Sequence, residues 1–502
     1  MCESRTDWII FARADRRQDA GRPDPRGGRI IVRRTGSARR TGRMNGGAGG
    51  RWRRRGGCVL AAVALAGAAV PARADTEGDG TVQVSVGLDG ARPDGWSEPL
   101  GLSADGRYGL FSSLASNLVP GDTNRLYDVF VRDLRTRRTE RVSLADDGAQ
   151  LNGSTSEAAI SGDGRYVAFG SDAAGVVPGQ PATGGSNIFV RDRRTGRTEL
   201  VTAGDPAGGD RAGSSRAPAL SWDGRYVAYS SDRRDLVPGA KPGPGRNIYV
   251  TDRVKGTTRL VTAGPDGSPA DGESHEPSIS ADGTVIGFRS KAANLLSRDR
   301  APAVRPPGTA GARPSSAALA GSKPPPPRRM FPFYVYDART GRIQGAGVDP
   351  AGVLRDAAPD ANLSPDGRYA LFRIFEPGYG TDPDAAHKEL YVRDLRRGTV
   401  TKVATPLPGT ETVLDSFRAT MTADDRAVFF ASDADNLVPG DTNRVPDIFR
   451  RDLRTGRIDR VATAGDDPQA SRPASDPFVD ALGTTVLFGG TGDVLARRLP
   501  PM

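Results

Sequence analysis

The sequence predicts an all-β fold, a seven-bladed β-propeller closed by its N-terminal strand joining the last blade. Three observations predict it: a hairpin signature that recurs along the chain, a near-constant spacing between its copies, and a final unit that lacks a strand which a matching segment near the start can supply. The signature reads SADGRYGLFSSL at 103–114, SGDGRYVAFGSD at 161–172, SWDGRYVAYSSD at 221–232 and SPDGRYALFRIF at 364–375. Aligned on the turn, the copies fall at Gly106, Gly164, Gly224, Gly283 and Gly367, with weaker ones at Asp425 and Gly483, in steps of 58, 60, 59, 84, 58 and 58 residues. Self-similarity at such a period marks units that cannot bury their own faces and must stack.

Within each unit the punctuation is the same. In the second unit Ala159, Ile160 and Ser161 end a short strand, and Asp163 with Gly164, which adopts positive φ readily, suits a two-residue hairpin turn. Arg165 to Phe169 is then a nearly unbroken apolar run, as expected of a strand covered on both faces. A loop rich in Pro, Gly and Asn leads to NIFVRD at 187–192, a second β-branched and aromatic run, and a Thr195-Gly196 turn leads to an outer strand at Thr198 to Thr202. Four antiparallel strands per unit make a propeller blade.

The blades are expected at about 101–146, 159–203, 218–263, 277–345, 361–404, 418–462 and 477–499. The long step in the fourth contains a Pro/Ala/Gly/Ser segment at 300–329 with four consecutive prolines, read as a flexible or polyproline-like insertion. The seventh unit stops after DVLARRL at 493–499, without an outer strand. TVQVSVGLDG at 81–90 matches the first unit's TERVSLADDG at 139–148 at Thr, Val, Ser, Asp and Gly, so residues 81–87 are expected to complete the seventh blade and hide the last open edge.

The formal net charge of +10 suggests an anionic partner only until the charge is located. Residues 1–74 hold 17 Arg against 5 acidic residues, leaving 53 basic and 55 acidic side chains in the rest of the chain. Nucleic acid is therefore not an expected partner. Between Arg51 and Ala74 a cationic stretch precedes an apolar run from Val59 to Val70 and an Ala72-Arg73-Ala74 cleavage pattern, which together read as a signal peptide over 44–74. That run is too short to span a bilayer, so no membrane span is expected after cleavage, and the location is expected to be secreted, periplasmic or cell-envelope. Met44 is the expected start, with residues 1–43 either lying upstream of the true start or forming a disordered basic arm. The chain's two cysteines, Cys2 and Cys58, precede the expected cut, so the exported part would have no disulfide. Arg53 to Arg55 faintly resemble a twin-arginine signal, and Cys58 precedes the apolar run where a lipid-attachment cysteine would follow it.

The DGRY hairpins, each followed by a strand such as DVFVRDL, NIFVRD, NIYVTD or ELYVRDL, resemble the TolB-type, WD-like propeller repeat over about residues 80–502. The resemblance implies a bacterial propeller. It departs from TolB proper, which carries an α/β domain before its propeller and works with an envelope lipoprotein. Residues 75–80 leave no room for such a domain, so that partner role is not carried over.

Chemistry-bearing motifs are scarce. No GxSxG, HExxH, CxxC or GxxxxGK[ST] occurs, and the two histidines, His275 and His387, are expected in solvated loops of different blades. Asp105, Asp163, Asp223, Asp282 and Asp366 occupy one repeated turn slot, which argues for structure, and the Asp-box pattern SxDxGxTW is not matched. One constellation stands out. NLVPGDTNRLYDVFVRDL at 117–134 recurs as NLVPGDTNRVPDIFRRDL at 436–453, placing Asp122, Asn124 and Asp128, and Asp441, Asn443 and Asp447, at DxNxxxD spacing. These are metal candidates for Ca2+, which takes hard oxygens from short loops, although caps of the turn entering the third strand explain them more simply. Arg clusters such as RDLRTGRTER alternate with acids and read as a salt-bridged rim.

The expected function is an exported, non-catalytic propeller scaffold, a monomer without cofactor, binding a protein or an envelope or extracellular polymer through its loops or channel. The alternative is a secreted glycan hydrolase or lyase using channel carboxylates. Two unpaired carboxylates about 5–9 Å apart in one pocket would favour the enzyme, and salt-bridged linings would favour binding.

Overall fold

The computed structural model describes residues 80–180, 184–205, 212–296, 331–376, 387–410, 415–463 and 471–501. The expected arm at 1–43, the signal segment at 44–74 and the insertion at 300–329 lie outside these residues. The described chain forms seven four-stranded antiparallel sheets. Blade one runs Ser97–Leu102, Tyr108–Ser113, Asp128–Asp133 and Arg138–Arg141 from axis to rim, and the next five repeat that order. In blade seven, Ser475–Val479, Thr485–Gly489 and Val494–Arg498 are completed by Thr81–Gln83, which pairs Thr81 with Arg497 and Gln83 with Leu495. Beyond that pairing, the Val84 N–H donates to Val494 O at 2.7 Å and the Val494 N–H donates to Ser85 Oγ at 2.9 Å. Val84, Phe111, Phe130, Leu487 and Ala496 share one buried cluster, so the first and last blades have a common core. This chain is a closed seven-bladed ring.

Burial explains the strand order. The second and third strands are covered on both faces by neighbouring blades, whereas the outer strand Arg138–Arg141 alternates exposed and half-buried residues. One aromatic from each middle strand fills the gap between them: Phe111 on Phe130, Phe169 on Phe189 and Phe430 on Phe449 stack with centroids 5.6, 5.6 and 5.7 Å apart.

The DGRY hairpin is wider than the two-residue turn its sequence suggests. Ser161 N–H donates to Tyr166 O at 2.9 Å, which leaves Gly162 to Arg165 outside the ladder. The serine hydroxyl causes this: Ser161 Oγ accepts the Tyr166 N–H at 2.8 Å and donates to Asp163 Oδ1 at 2.6 Å, while that same oxygen caps the Arg165 N–H at 2.9 Å. Gly164 sits at φ +70°, and a Cβ there would lie 2.2 Å from the Tyr108 ring of the preceding blade. Glycine is therefore required twice, once for its backbone and once for the neighbour.

These turns join the blades. The Ala104 N–H donates to Gly162 O (2.9 Å), Gly162 to Trp222 (2.8 Å), Trp222 to Ala281 (2.9 Å) and Ala281 to Pro365 (2.6 Å), and on the far side Ala423 donates to Ala481 and Ala481 to Ala104, both at 2.9 Å. Side chains reinforce the circle. Arg165 bonds Asp192 through both Nε (3.0 Å) and Nη2 (2.5 Å) and lies over Tyr166, while Arg253 of the next blade also lies over that ring, 4.6 Å from its centroid, and bonds Gly224 O. Arg193 covers Tyr108 in the same way at 4.4 Å. Asp192 is held down to about 2 by Arg165 and the Arg194 N–H, against the opposing effect of burial.

Antiparallel order places the innermost-to-second and third-to-outer connections on one face, the turn face. The second-to-third and blade-to-blade connections emerge on the other, the loop face. Turn-face connections such as 103–107 and 134–137 are short and repeated, whereas loop-face connections range from 490–493 to 291–332.

Candidate functional site at the channel mouth

Each innermost strand touches the innermost strand of both neighbours, so the seven surround the axis. They start at the loop face, and near that end five of them shift register: between Pro99 and Gly101, Arg216 and Ala219, His275 and Ser278, Ser416 and Ala419, and Ser475 and Phe478. The bulge puts a non-glycine residue at positive φ at one equivalent position in three blades: Ala217 (52°), Glu276 (53°) and Asp476 (49°). Strain repeated at one register position, beside a channel, is held by its surroundings.

Those surroundings are ionic. The same position carries Glu157, Glu276, Asp360, Arg418 and Asp476 in blades two, four, five, six and seven. Glu157 Oε2 accepts the strained Ala217 N–H across the blade boundary at 2.6 Å. Glu276 pairs with Arg289 Nη1 at 2.7 Å, Asp360 with Arg373 Nε at 2.8 Å and Asp476 with Arg418 Nε at 3.6 Å. Arg373 also reaches Ser416 O in blade six at 2.6 Å, and Asn362 Nδ2 reaches Ala419 O at 2.7 Å. Burial pushes the Glu276 carboxyl up, opposed by Arg289 and aided by the charge of Asp360. In blade one, Glu98 accepts the Trp96 indole N–H at 3.0 Å, and that indole lies against Gly492 of blade seven, while Glu157 leans toward blade three. Among the described residues Glu98 and Glu157 are thus engaged by N–H donors of different blades, and the other three are ion-paired.

Both histidines lie in strands, not in loops. His275 belongs to the innermost strand Ser274–Ile279, because pairing resumes beyond the bulge, and His387 opens the third strand of blade five, His387–Asp394, whose hairpin is extended to eight residues. His275 is 3.4 Å from Glu273 and packs edge-on against Phe331, with centroids 5.4 Å apart. Burial lowers its pKa, so it is neutral near pH 7.

The DxNxxxD residues lie on the loop face, at the entry to the third strand. Asn124 Oδ1 accepts the Leu126 N–H at 2.9 Å, forming an Asx turn. Asp122 and Asp128 flank Arg141 Nη1, 3.4 Å from each, and Gln150 donates to both at 2.9 and 3.3 Å. In blade six Arg460 Nη1 lies 2.8 Å from Asp441 and 3.0 Å from Asp447, whose Oδ2 also accepts Asn443 Nδ2 at 3.0 Å. A guanidinium stands between the acids in both copies. Among the described residues, no group of three or more His, Cys, Asp or Glu is arranged to hold a metal ion. The sequence carried a sign of this pairing at a 13-residue spacing from the equivalent third-strand position in five blades: Asp128 with Arg141, Glu389 with Lys402 and Asp447 with Arg460 are acid with base, whereas Asn187 with Leu200 and Asn247 with Leu260 are both uncharged. Glu389 and Lys402 are in contact at 2.5 Å.

Solved propellers share this architecture. TolB-type propellers are among them. A putative TolB from Agrobacterium tumefaciens is 14% identical with a TM-score of 0.35, covering 74% of this chain and 98% of its own. An oligogalacturonate lyase from Vibrio parahaemolyticus is 12% identical with a TM-score of 0.46, over 84% of this chain and 96% of its own. The propeller domain of the Trilobed protease from Pyrococcus furiosus is 12% identical with a TM-score of 0.42, over 79% and 89%. No family model matches the sequence, and no curated protein does. Among the described residues no helix is long and apolar enough to cross a membrane.

Proposed function

We propose that this protein is an exported, non-catalytic propeller scaffold whose loop face, around the channel mouth, binds a protein or an envelope or extracellular polymer. The observation that carries the reading is the state of the channel-mouth carboxylates. Glu276, Asp360 and Asp476 each have an arginine within 4 Å, Glu157 accepts a strained backbone N–H and Glu98 an indole N–H, contacts that support a structural role for these carboxylates over acid–base work. Trp96, 45% exposed, and the exposed Arg216 supply the kind of anchors that recognition surfaces use. The DxNxxxD sets are read as turn caps braced by Arg141 and Arg460.

The test is retention of the full chain on its own cell-envelope fraction, compared with Trp96→Ala and Arg216→Ala, alongside incubation with uronic-acid and neutral oligosaccharides. Retention that both substitutions reduce, with no new sugar ends formed, is the expected result. Turnover of any glycan that is lost in Glu276→Gln or Asp360→Asn would overturn it in favour of the hydrolase or lyase.

A further inference from the structure

The seam between blades five and six departs from the other joints at three points. The turn-to-turn hydrogen bond is missing because Pro365, which accepts from Ala281, has no N–H to offer Ala423. The position that glycine holds in the other six turns is Asp425, at φ +59°. Its carboxyl faces the turn carboxyl of the preceding blade, Asp366.

The groups around this pair leave one oxygen unserved. Asp366 Oδ1 accepts the Ser364 hydroxyl at 2.7 Å and the Arg368 N–H at 2.8 Å. Asp424 is engaged by the Thr422 hydroxyl at 2.6 Å and the Arg426 N–H at 3.1 Å. Arg368 is divided, with Nη2 at 2.7 Å from Asp394 and Nη1 at 3.5 Å from Asp425 Oδ2. Arg397 faces Asp394, 4.0 Å away, and Tyr369 carries its ring beside Arg368. Asp425 Oδ1 is buried without a hydrogen-bond partner. Two facing carboxyls, one with a buried unpaired oxygen, are satisfied by a single added proton that one donates to the other.

We propose that this seam is an acid-latched joint: a proton shared by Asp366 and Asp425 replaces the hydrogen bond that Pro365 cannot make, and its loss loosens the ring between blades five and six. Burial, then the charge of Asp366, push the Asp425 carboxyl up to about 6, with Arg368 opposing. The folded state therefore binds this proton more tightly than the unfolded chain. Stability from the joint falls as pH rises from the ordinary carboxyl range through about 6, and levels off above it.

The experiment is amide hydrogen exchange on the full chain at about pH 5 and about pH 7, corrected for intrinsic rates, in segments 364–369 and 422–427, with 161–166 as the reference turn. Wild type is expected to open about tenfold more at the higher pH in the two seam segments and equally at both in the reference. Asp425→Asn keeps a residue that tolerates positive φ and supplies an amide donor without titrating, so the difference should vanish. Asp425→Gly restores the turn of the other blades and should behave alike. Asp447, which burial also raises to about 6, sits in the same blade, so the comparison of variants, not the wild-type profile, isolates the joint. A wild-type seam indifferent to pH, or a difference that persists in either variant, overturns the proposal.

Discussion

The two faces of this ring are built on opposite plans. On the turn face, six of seven turns use glycine at the same position, six pairs of neighbouring turns are linked through backbone hydrogen bonds, and recurring arginine–tyrosine contacts reinforce them, so the same joint is repeated around the ring. On the loop face, equivalent positions hold Pro99, Glu157, Ala217, Glu276, Asp360, Arg418 and Asp476, and their polar contacts differ from blade to blade, some within a blade and some across to the next. The comparison teaches that the repeat is kept where blades must be welded alike and abandoned on the opposite face, the one proposed above for binding. A scaffold needs the first, and recognition needs the second.

The sharpest way to break this contrast is Gly164→Ala. The added methyl combines a left-handed backbone with a 2.2 Å approach to Tyr108, and a loss of ~3 kcal/mol is expected from the urea midpoint. A smaller effect should come from the loop face. Arg141→Leu strands the buried Asp128 and is expected to cost ~2 kcal/mol, whereas the double change Asp128→Asn with Arg141→Leu, which copies blades two and three, should recover most of it. Additive losses in thermal melts of the three variants would show that the ion pair is not the organising interaction. The smallest expected effect is that of metal removal. With Arg141 and Arg460 between the acids, melting in chelator and in millimolar Ca2+ should coincide, and a rise of several degrees with Ca2+ would give the DxNxxxD sets back to a cation.

The turn face was legible in the sequence because its chemistry is local. Ser161, Asp163, Gly164 and Arg165 act within a few residues of one another, so repetition exposes them as a unit. The closing strand was legible for a similar reason, since residues 81–90 copy the pattern of an outer strand. What stayed hidden was the second duty of Gly164, which serves a tyrosine 56 residues earlier, and the bulges of the innermost strands, where Pro99, Pro218 or Pro277 reads as a strand end although pairing resumes beyond it. The ion pairs of the channel mouth were hidden more deeply. Glu276 with Arg289 and Asp360 with Arg373 share a 13-residue spacing, but Arg373 also reaches Ser416 in the next blade, a contact set by curvature and twist that the spacing does not encode.

The strand that completes blade seven has a consequence for how the molecule comes into being. Val494 donates to Ser85, a partner 409 positions earlier, and the core shared by the first and last blades needs both ends of that span. No shorter length of the nascent polypeptide can be circular. Until the C-terminal hairpin emerges, the growing array keeps an exposed flank at each extremity, and its maturation ends in one long-range docking event, slow by its topology and open to aggregation while it waits.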